Sequence, residues 1–318
     1  MTSPSLVTVP ESSGAACAAC GSRDREVWLP SAFDYITGAE FSVRRCRRCG
    51  LAQTEPQPKS MDRFYPARYR HYGGATLRML RALYNLRVRG WMRYLPERGK
   101  ALEVGCGDGW MLTALRDRGW RVFGSERSSE GARAAAAVNG IPMFVGELNA
   151  LAPSRFNLVI LFQVLEHLSD PLDALTKGAE LLQPGGMMVV AVPNAASWQA
   201  HAFGRFWFHL DVPRHLQHFS PEALGRLFQK IGLRVVRARM VSPEHDPYGV
   251  LQSLLNRLGF QQNLMTRILM GMSVEASIPA LTAMWSATTL LLIPSAAISV
   301  WGWITGSGAI VEMWAVKA

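Results

Sequence analysis

Between Ala276 and Val311 the sequence has no Asp, Glu, Lys, Arg or His. That absence excludes a solvated surface loop. Its length admits a membrane span, a buried core segment or a surface for a greasy ligand. The opening residues, "MTSPSLVTVPESSGAA", lack a basic region followed by an apolar run, so no secretory signal is expected. Residues 1–14 read as a flexible tail. Cysteine is scarce, with five in 318 residues, arranged as two close pairs plus Cys106. Without an export signal, metal binding is favoured over disulfides. Acid is also short. The 24 Asp and Glu face 34 Lys and Arg, a net charge of +10. That balance favours an anionic partner, nucleic acid or acidic lipid, or serves solubility alone. Apolar residues are not lacking. At 49% hydrophobic, the chain can bury one large domain plus a small one.

The cysteine pairs are "CAAC" (Cys17, Cys20) and "CRRC" (Cys46, Cys49). Two intervening residues let one tight turn aim both thiolates at the same ion. Two such turns make a tetrahedral four-cysteine zinc site. Gly21 and Gly50 follow the second cysteine of each pair, where a knuckle needs a positive φ. "VWLP" and "FSVRR" between the pairs suit short strands, so residues 15–55 read as a zinc ribbon. Four thiolates leave no open position, so the zinc is structural. Arg44, Arg45, Arg47 and Arg48 crowd the second knuckle, as phosphate contacts or as a solvated basic face. Residues 56–76, rich in Pro, Tyr and Arg, read as a linker. From Leu77 to Leu95 the apolar residues Leu77, Leu80, Tyr84 and Val88 fall at helical spacing, with five arginines mostly elsewhere. This predicts a helix packed on the next domain, or a basic helix on a membrane surface.

"KALEVGCGDGW" carries the chemistry. "ALEV" suits a buried parallel strand. Gly105, Gly107 and Gly109 form a turn that lets backbone approach a bound nucleoside, and a helical segment follows. After a second strand, "RVFGSE", Glu126 lies about twenty residues beyond the glycines, where an acid binds two ribose hydroxyls. A nicotinamide cofactor satisfies that spacing equally well.

The remaining motifs separate the two. "LEVGCGDG", "FNLVILFQVLEHLSDP", "LLQPGGMMVVAVPN" and "DVPRHLQHFSPEALGRLFQKIGL" occur in an order that resembles the class I S-adenosylmethionine-dependent methyltransferases. The ribbon with "CGLAQTEPQP" and "YPARY" resembles the front end of a bacterial subfamily. The resemblance covers most of the chain. It implies a doubly wound, seven-stranded Rossmann-like α/β sheet over 77–242 and 308–318. Glu103, Gly105, Gly107 and Gly109 would contact the methionine part of S-adenosylmethionine, and Glu126 the ribose. Glu147 and Leu148 would lie by the adenine, with Phe162 and Gln163 under the sulfonium.

The sulfonium is already activated, so such a protein mainly aligns the acceptor and excludes water. An oxygen, nitrogen or carbon acceptor still needs a proton removed. Candidate bases are His215, His167 and His218, with His209 and Asp211 nearby in "FHLDVPRHLQHF". The alternative for each is a histidine that caps a turn or bonds to backbone. Arg214 is placed to pair with an anionic substrate. The paired acids with which magnesium-dependent methyltransferases hold a catechol are missing, which argues against metal assistance. The aromatic "ASWQAHAFGRFWFHL" reads as a lid over an apolar acceptor.

The last strand, "GAIVEMWAVKA", is expected to pair antiparallel with "LRVVRARMV", beside the fifth strand. A single membrane crossing within 243–307 would separate the two. Pro294 is expected to split this apolar insertion into a helical hairpin at the interface, with Trp285, Trp301 and Trp303 at headgroup depth. A buried hairpin or a dimer contact is the alternative. The expectation is a cytoplasmic enzyme, peripheral on the inner face of the membrane. It would methylate oxygen or carbon of a lipid-linked, polyprenyl or glycan-like acceptor. An RNA methyltransferase using the ribbon and basic surface, or a non-catalytic membrane-docked scaffold, is the rival.

Overall fold

A computed structural model describes residues 16–65, 74–95, 97–127, 129, 136, 140–151 and 154–318. The whole of the expected tail, residues 1–14, and residues 66–73 of the expected linker lie outside these. The described chain begins at the cysteine pairs. β1 (Arg25–Phe33), β2 (Glu40–Cys46) and β3 (Ala52–Glu55) form an antiparallel sheet that carries the four cysteines at one end. β2 largely alternates in exposure and β1 is mostly half-buried or exposed, but β3 is buried throughout. What covers β3 comes from far along the chain, as described below.

α1 (Gly74–Trp91) follows. Its inward stripe includes Tyr84, Val88 and Trp91, close to the expected helical face. Arg87 also points inward. It pairs with Glu244 and Glu312, so one of the five arginines is buried rather than solvated. β4 (Lys100–Val104), α2 (Trp110–Arg116), β5 (Arg121–Glu126), β6 (Met143–Val145) and β7 (Phe156–Phe162) build the first half of a second sheet. α3 (Pro171–Leu181) and β8 (Leu182–Pro193) continue it. α4 (Trp198–Phe203), the two-residue strand β9 (Gln217–His218), α5 (Pro221–Lys230) and β10 (Leu233–Arg239) come next. The insertion holds α6 (Asp246–Arg257), α7 (Leu264–Leu269) and α8 (Ile278–Ile304), and β11 (Ile310–Lys317) closes the chain.

The seven-stranded order is β10-β11-β8-β7-β4-β5-β6, doubly wound as expected. β4, β5, β6, β7 and β8 are parallel. β11 wedges antiparallel between β8 and β10, with Trp314 opposite Val189 and Met313 opposite Ala238. The chain reverses its direction of travel across the sheet between β4 and β7. The carboxyl ends of those strands therefore open a crevice where ligands bind in such sheets. β4 and β7 are buried on both faces, which is why "ALEV" and "LVILF" show no alternation.

The small sheet does not stand apart. β9 adds to β3 as its fourth strand, Ala52 opposite His218 and Gln53 opposite Gln217. The cysteine knuckles share a core with α5 through Leu51, Phe219, Ala223, Leu224 and Leu227. Lys230 Nζ donates to the Ala19 carbonyl and Arg226 to that of Arg48. This accounts for the full burial of β3.

One expectation is corrected here. α8 is a single continuous helix and not a hairpin, and Pro294 lies inside it. A proline removes one backbone hydrogen bond, and packing on both sides carries the helix through. Met284, Ser295, Ser299 and Gly302 are buried, spaced along the helix on one face. Trp303 donates its indole N–H to Asp246 and so turns inward, while Trp285 and Trp301 stay exposed. The buried residues span eighteen positions, about 27 Å of helix at 1.5 Å per residue. α8 therefore lies along the domain and does not project from it. Its outer face is apolar: Ile278, Leu290, Leu292, Ile293, Ile298, Val300 and Ile304 are exposed.

Candidate active site

β4 delivers Glu103 to the crevice. Gly105, Gly107 and Gly109 then all adopt positive φ (62°, 52° and 69°). A side chain at Gly105 would collide with Val164, whereas space at Gly107 is open. The Gly107 amide donates to Glu126 Oε1 at 2.7 Å, so the acid at the end of β5 closes over the turn. Glu103 is buried, and its carboxyl is pushed up to about 8 by burial and by the Glu126 charge. Its Oε2 has no hydrogen-bond partner among the described residues. A buried acid with an unmet oxygen, beside an open glycine turn and a second acid, fits the ammonium and ribose ends of S-adenosylmethionine.

Glu147 and Leu148 follow β6. Glu147 is exposed and paired with Arg127 Nε at 3.0 Å, and Leu148 is half-buried. At the end of β7, Phe162 meets Tyr84 at 5.7 Å between ring centroids, and the ring of His245 at 5.9 Å. The Arg87 guanidinium lies 5.2 Å over the same ring. Gln163 follows at φ 56°, a left-handed conformation costly for a side-chain-bearing residue, and its buried Nε2 has no hydrogen-bond partner among the described residues. Such strain concentrates where a ligand is held.

The three candidate bases differ. His167 sits in the turn after β7, and its Nδ1–H donates to the Arg214 carbonyl at 2.9 Å. His215 is buried, with Nδ1–H donating to the His209 carbonyl at 2.8 Å. Their rings meet edge-on, with centroids 4.8 Å apart. His218 is placed elsewhere. Its Nε2 bonds Thr54 Oγ1 at 2.9 Å inside the β3–β9 junction. Burial pushes it down to about 3, against a smaller opposing pull from Asp211. A neutral histidine sealed between two strands does not exchange protons with the crevice, so the expectation for His218 gives way to a structural role. Arg214 is likewise buried, held by Asp211 (2.7 Å) and Asp34 (2.8 Å), and is not poised for an anionic substrate.

Four residues at this site are not read as site residues in the sequence. Glu166 adjoins His167 and is wholly buried. Tyr84 reads only as part of a helical stripe, and His245 and Thr54 arrive from distant segments with no local pattern to mark them. Thr54 Oγ1 also donates to the His215 carbonyl at 2.7 Å, and its amide to that of Leu216 at 3.0 Å.

The cysteine end is compact. One ligand atom from each of Cys17, Cys20, Cys46 and Cys49 lies within 4.8 Å of the others. Cys17 and Cys49 sulfurs are 3.4 Å apart and Cys20 and Cys46 sulfurs 3.5 Å, with every described cysteine free. Disulfides need about 2.05 Å. The edges of a tetrahedral zinc–thiolate site with bonds of about 2.3 Å fall near these spacings. Gly21 and Gly50 have the positive φ that the knuckles require (70° and 80°).

The family model described as a methyltransferase domain matches residues 69–238. The chain belongs to that family and is an S-adenosylmethionine-dependent methyltransferase. Among curated relatives it is similar to the ubiquinone biosynthesis O-methyltransferase of Cereibacter sphaeroides (strain ATCC 17029 / ATH 2.4.9). That match is 29% identical over 58% of this chain and 75% of the relative. The protein of the same name in strain ATCC 17025 / ATH 2.4.3 is 33% identical over 44% of this chain, and the match spans under two thirds (62%) of its length. Among solved structures it is similar to a methyltransferase of Thermotoga maritima described as a possible histamine N-methyltransferase. The identity is 19%, over 76% of this chain and 92% of that one, with a TM-score of 0.46.

Proposed function

We propose that the protein transfers a methyl group from S-adenosylmethionine to an oxygen of a small acceptor carried on a lipid or polyprenyl chain, while resting on the inner face of a membrane. In this reading residues 15–55 form a zinc-held ribbon, 56–76 a connection, 77–242 and 308–318 the catalytic domain, and 243–307 the membrane-facing insertion. The observation that carries the reading is the short path from apolar surface to crevice. α8 presents a chargeless outer face, and its Trp303 is bonded to Asp246. The adjoining His245 sets its ring against Phe162. An acceptor tail held by that surface would bring its head group to the carboxyl end of β7. The names of the curated relatives support an oxygen acceptor of this type.

S-adenosylmethionine supplies an activated methyl group. The protein's residues do the rest. Glu103 and Glu126 orient the cofactor, and Phe162 with Tyr84 excludes water. The acceptor proton leaves beside Glu166, His167 and His215, which β3 holds in place through Thr54.

The test incubates zinc-loaded protein and methyl-labelled S-adenosylmethionine with a bacterial lipid extract and, separately, with total RNA. The expected result is label in the lipid fraction. Label in RNA alone would replace this reading with the nucleic-acid one, and cofactor binding without turnover on either would favour a scaffold.

A further inference from the structure

Phe162 and Glu312 stand in one row of the large sheet. Both lie opposite Ala191 of β8, one on each side of it. Their side chains therefore share a face of the sheet, two strands or about 10 Å apart. Arg87 fills the space above that face. Its guanidinium lies over the Phe162 ring and pairs with both Glu312 and Glu244. All three charged side chains are buried. One guanidinium meets two carboxylates, so the cluster holds one negative charge in excess.

The other partners of the cluster are neutral. The Trp91 indole donates to Glu312 Oε2 at 3.1 Å and the Trp314 indole to Oε1 at 2.9 Å. Such donors satisfy a carboxylate without cancelling its charge. Ser242 Oγ accepts from Arg87 Nη2 at 3.2 Å and so turns its own proton to His245 Nδ1 at 2.9 Å. That nitrogen accepts and carries no proton. Its approach to Glu244 Oε1 at 3.9 Å is then not an ion pair. One acid would suffice to pair Arg87. A second buried acid is costly unless another cation comes near.

The cofactor brings that cation. With Glu126 at the end of β5 as the ribose partner, the sulfonium end points back across β4 to the end of β7, where Phe162 lies. When the methyl group leaves, its bond to sulfur breaks, the electron pair stays on sulfur, and S-adenosylhomocysteine is neutral there. We infer that Glu244 and Glu312, held by Arg87 behind Phe162, make the cofactor pocket select for the charged sulfonium of S-adenosylmethionine over its neutral product. The inference rests on the reading that Phe162 closes the cofactor crevice and is independent of the acceptor. One unit charge about 10 Å away, at an effective dielectric constant of about 20, changes binding on the order of tenfold. Loss of charge on transfer then itself loosens the product.

The test is calorimetry on the full zinc-loaded chain with three ligands: S-adenosylmethionine, S-adenosylhomocysteine and sinefungin, an analogue that carries a protonated amine in place of the transferable methyl. Glu244→Gln keeps an oxygen towards Arg87 and removes the charge. It should weaken the two cationic ligands about tenfold and S-adenosylhomocysteine by less than about twofold. Glu312→Gln should give the same pattern, and retained S-adenosylhomocysteine binding shows that each variant folds. Should Glu312→Gln fail to fold, Glu244→Gln decides alone. Equal weakening of all three ligands, or unchanged binding of the cationic pair in a folded variant, would overturn the inference and leave the cofactor reading standing. Failure of the unaltered protein to bind any of the three would strike the cofactor reading, and the inference with it.

Discussion

Among the described residues α1 and α8 are the two long helices, and they are built in opposite senses. α1 turns most of its arginines to solvent and buries Val88 and Trp91, with Arg87 locked against two acids. Beside Met284, α8 buries small residues, Ser295, Ser299 and Gly302, and it exposes most of its large ones, Leu290, Ile293 and Ile304 among them. Its inward contacts are close, since a side chain at Gly302 would meet the Trp198 indole. The difference teaches that hydrophobicity alone does not say which way a helix faces. Packing selected small residues for the inner face of α8 and left an outer face suited to hydrocarbon, whereas α1 shows the arrangement expected next to water. Both are clamped by buried polar groups near the 242–246 turn, α1 through Arg87 and α8 through Asp246.

Four changes test the contrast. The largest effect belongs to Arg87→Met, which strands Glu244 and Glu312. Removing one partner of a buried pair costs about 3–5 kcal/mol, so urea unfolding should show a loss of that order. Survival of full stability would mean that α1 is not clamped by charge.

The second concerns Asp246, which burial pushes up to about 7, against the hydrogen bond from Trp303. The folded state then holds a proton between about pH 4 and pH 7 that the unfolded chain has released. Asp246 therefore contributes stability at low pH that is lost as pH rises through 7, on the order of a few kcal/mol. Asp246→Asn should flatten that part of the stability–pH curve. A residual slope would belong to Glu103, also raised, to about 8.

The third reverses the outer face of α8. Leu290→Glu with Ile293→Glu should shift stability by no more than about 0.5 kcal/mol per site, as exposed positions do. Flotation with anionic vesicles should nonetheless weaken at least tenfold. Unchanged flotation would remove the lipid reading of this face. The smallest effect is expected from Arg78→Gln with Arg89→Gln on the outer side of α1. Stability should hold within about 0.5 kcal/mol per site, and vesicle binding should fall less than for the α8 pair.

What was legible in the sequence was local. "ALEVGCGDG" announced a strand, a glycine turn and a helix, because each depends on neighbouring residues. Cys17, Cys20, Cys46 and Cys49 announced their cluster by spacing. The antiparallel place of β11 followed from the ordered motifs. The rest depended on contacts between distant segments. Pro294 signalled a break locally, but packing of Met284 before it and Ser295 and Ser299 after it kept one helix. Arg87 looked like its four neighbours until Glu244 and Glu312 came to meet it. His218 shared its motif with His215, yet one residue pairs into β9 and the other faces His167.

The wedge position of β11 has a consequence for any shortened version of this protein. A chain trimmed to the matched residues 69–238 would keep β8 and nearly all of β10 but lose the strand that joins them. It would also leave β9 without β3 and expose the side of α5 that the cysteine knuckles cover. The stretch that carries the family likeness is thus smaller than the unit that can fold. Its two missing pieces come from opposite ends of the chain, so extending the segment in one direction restores only one of them.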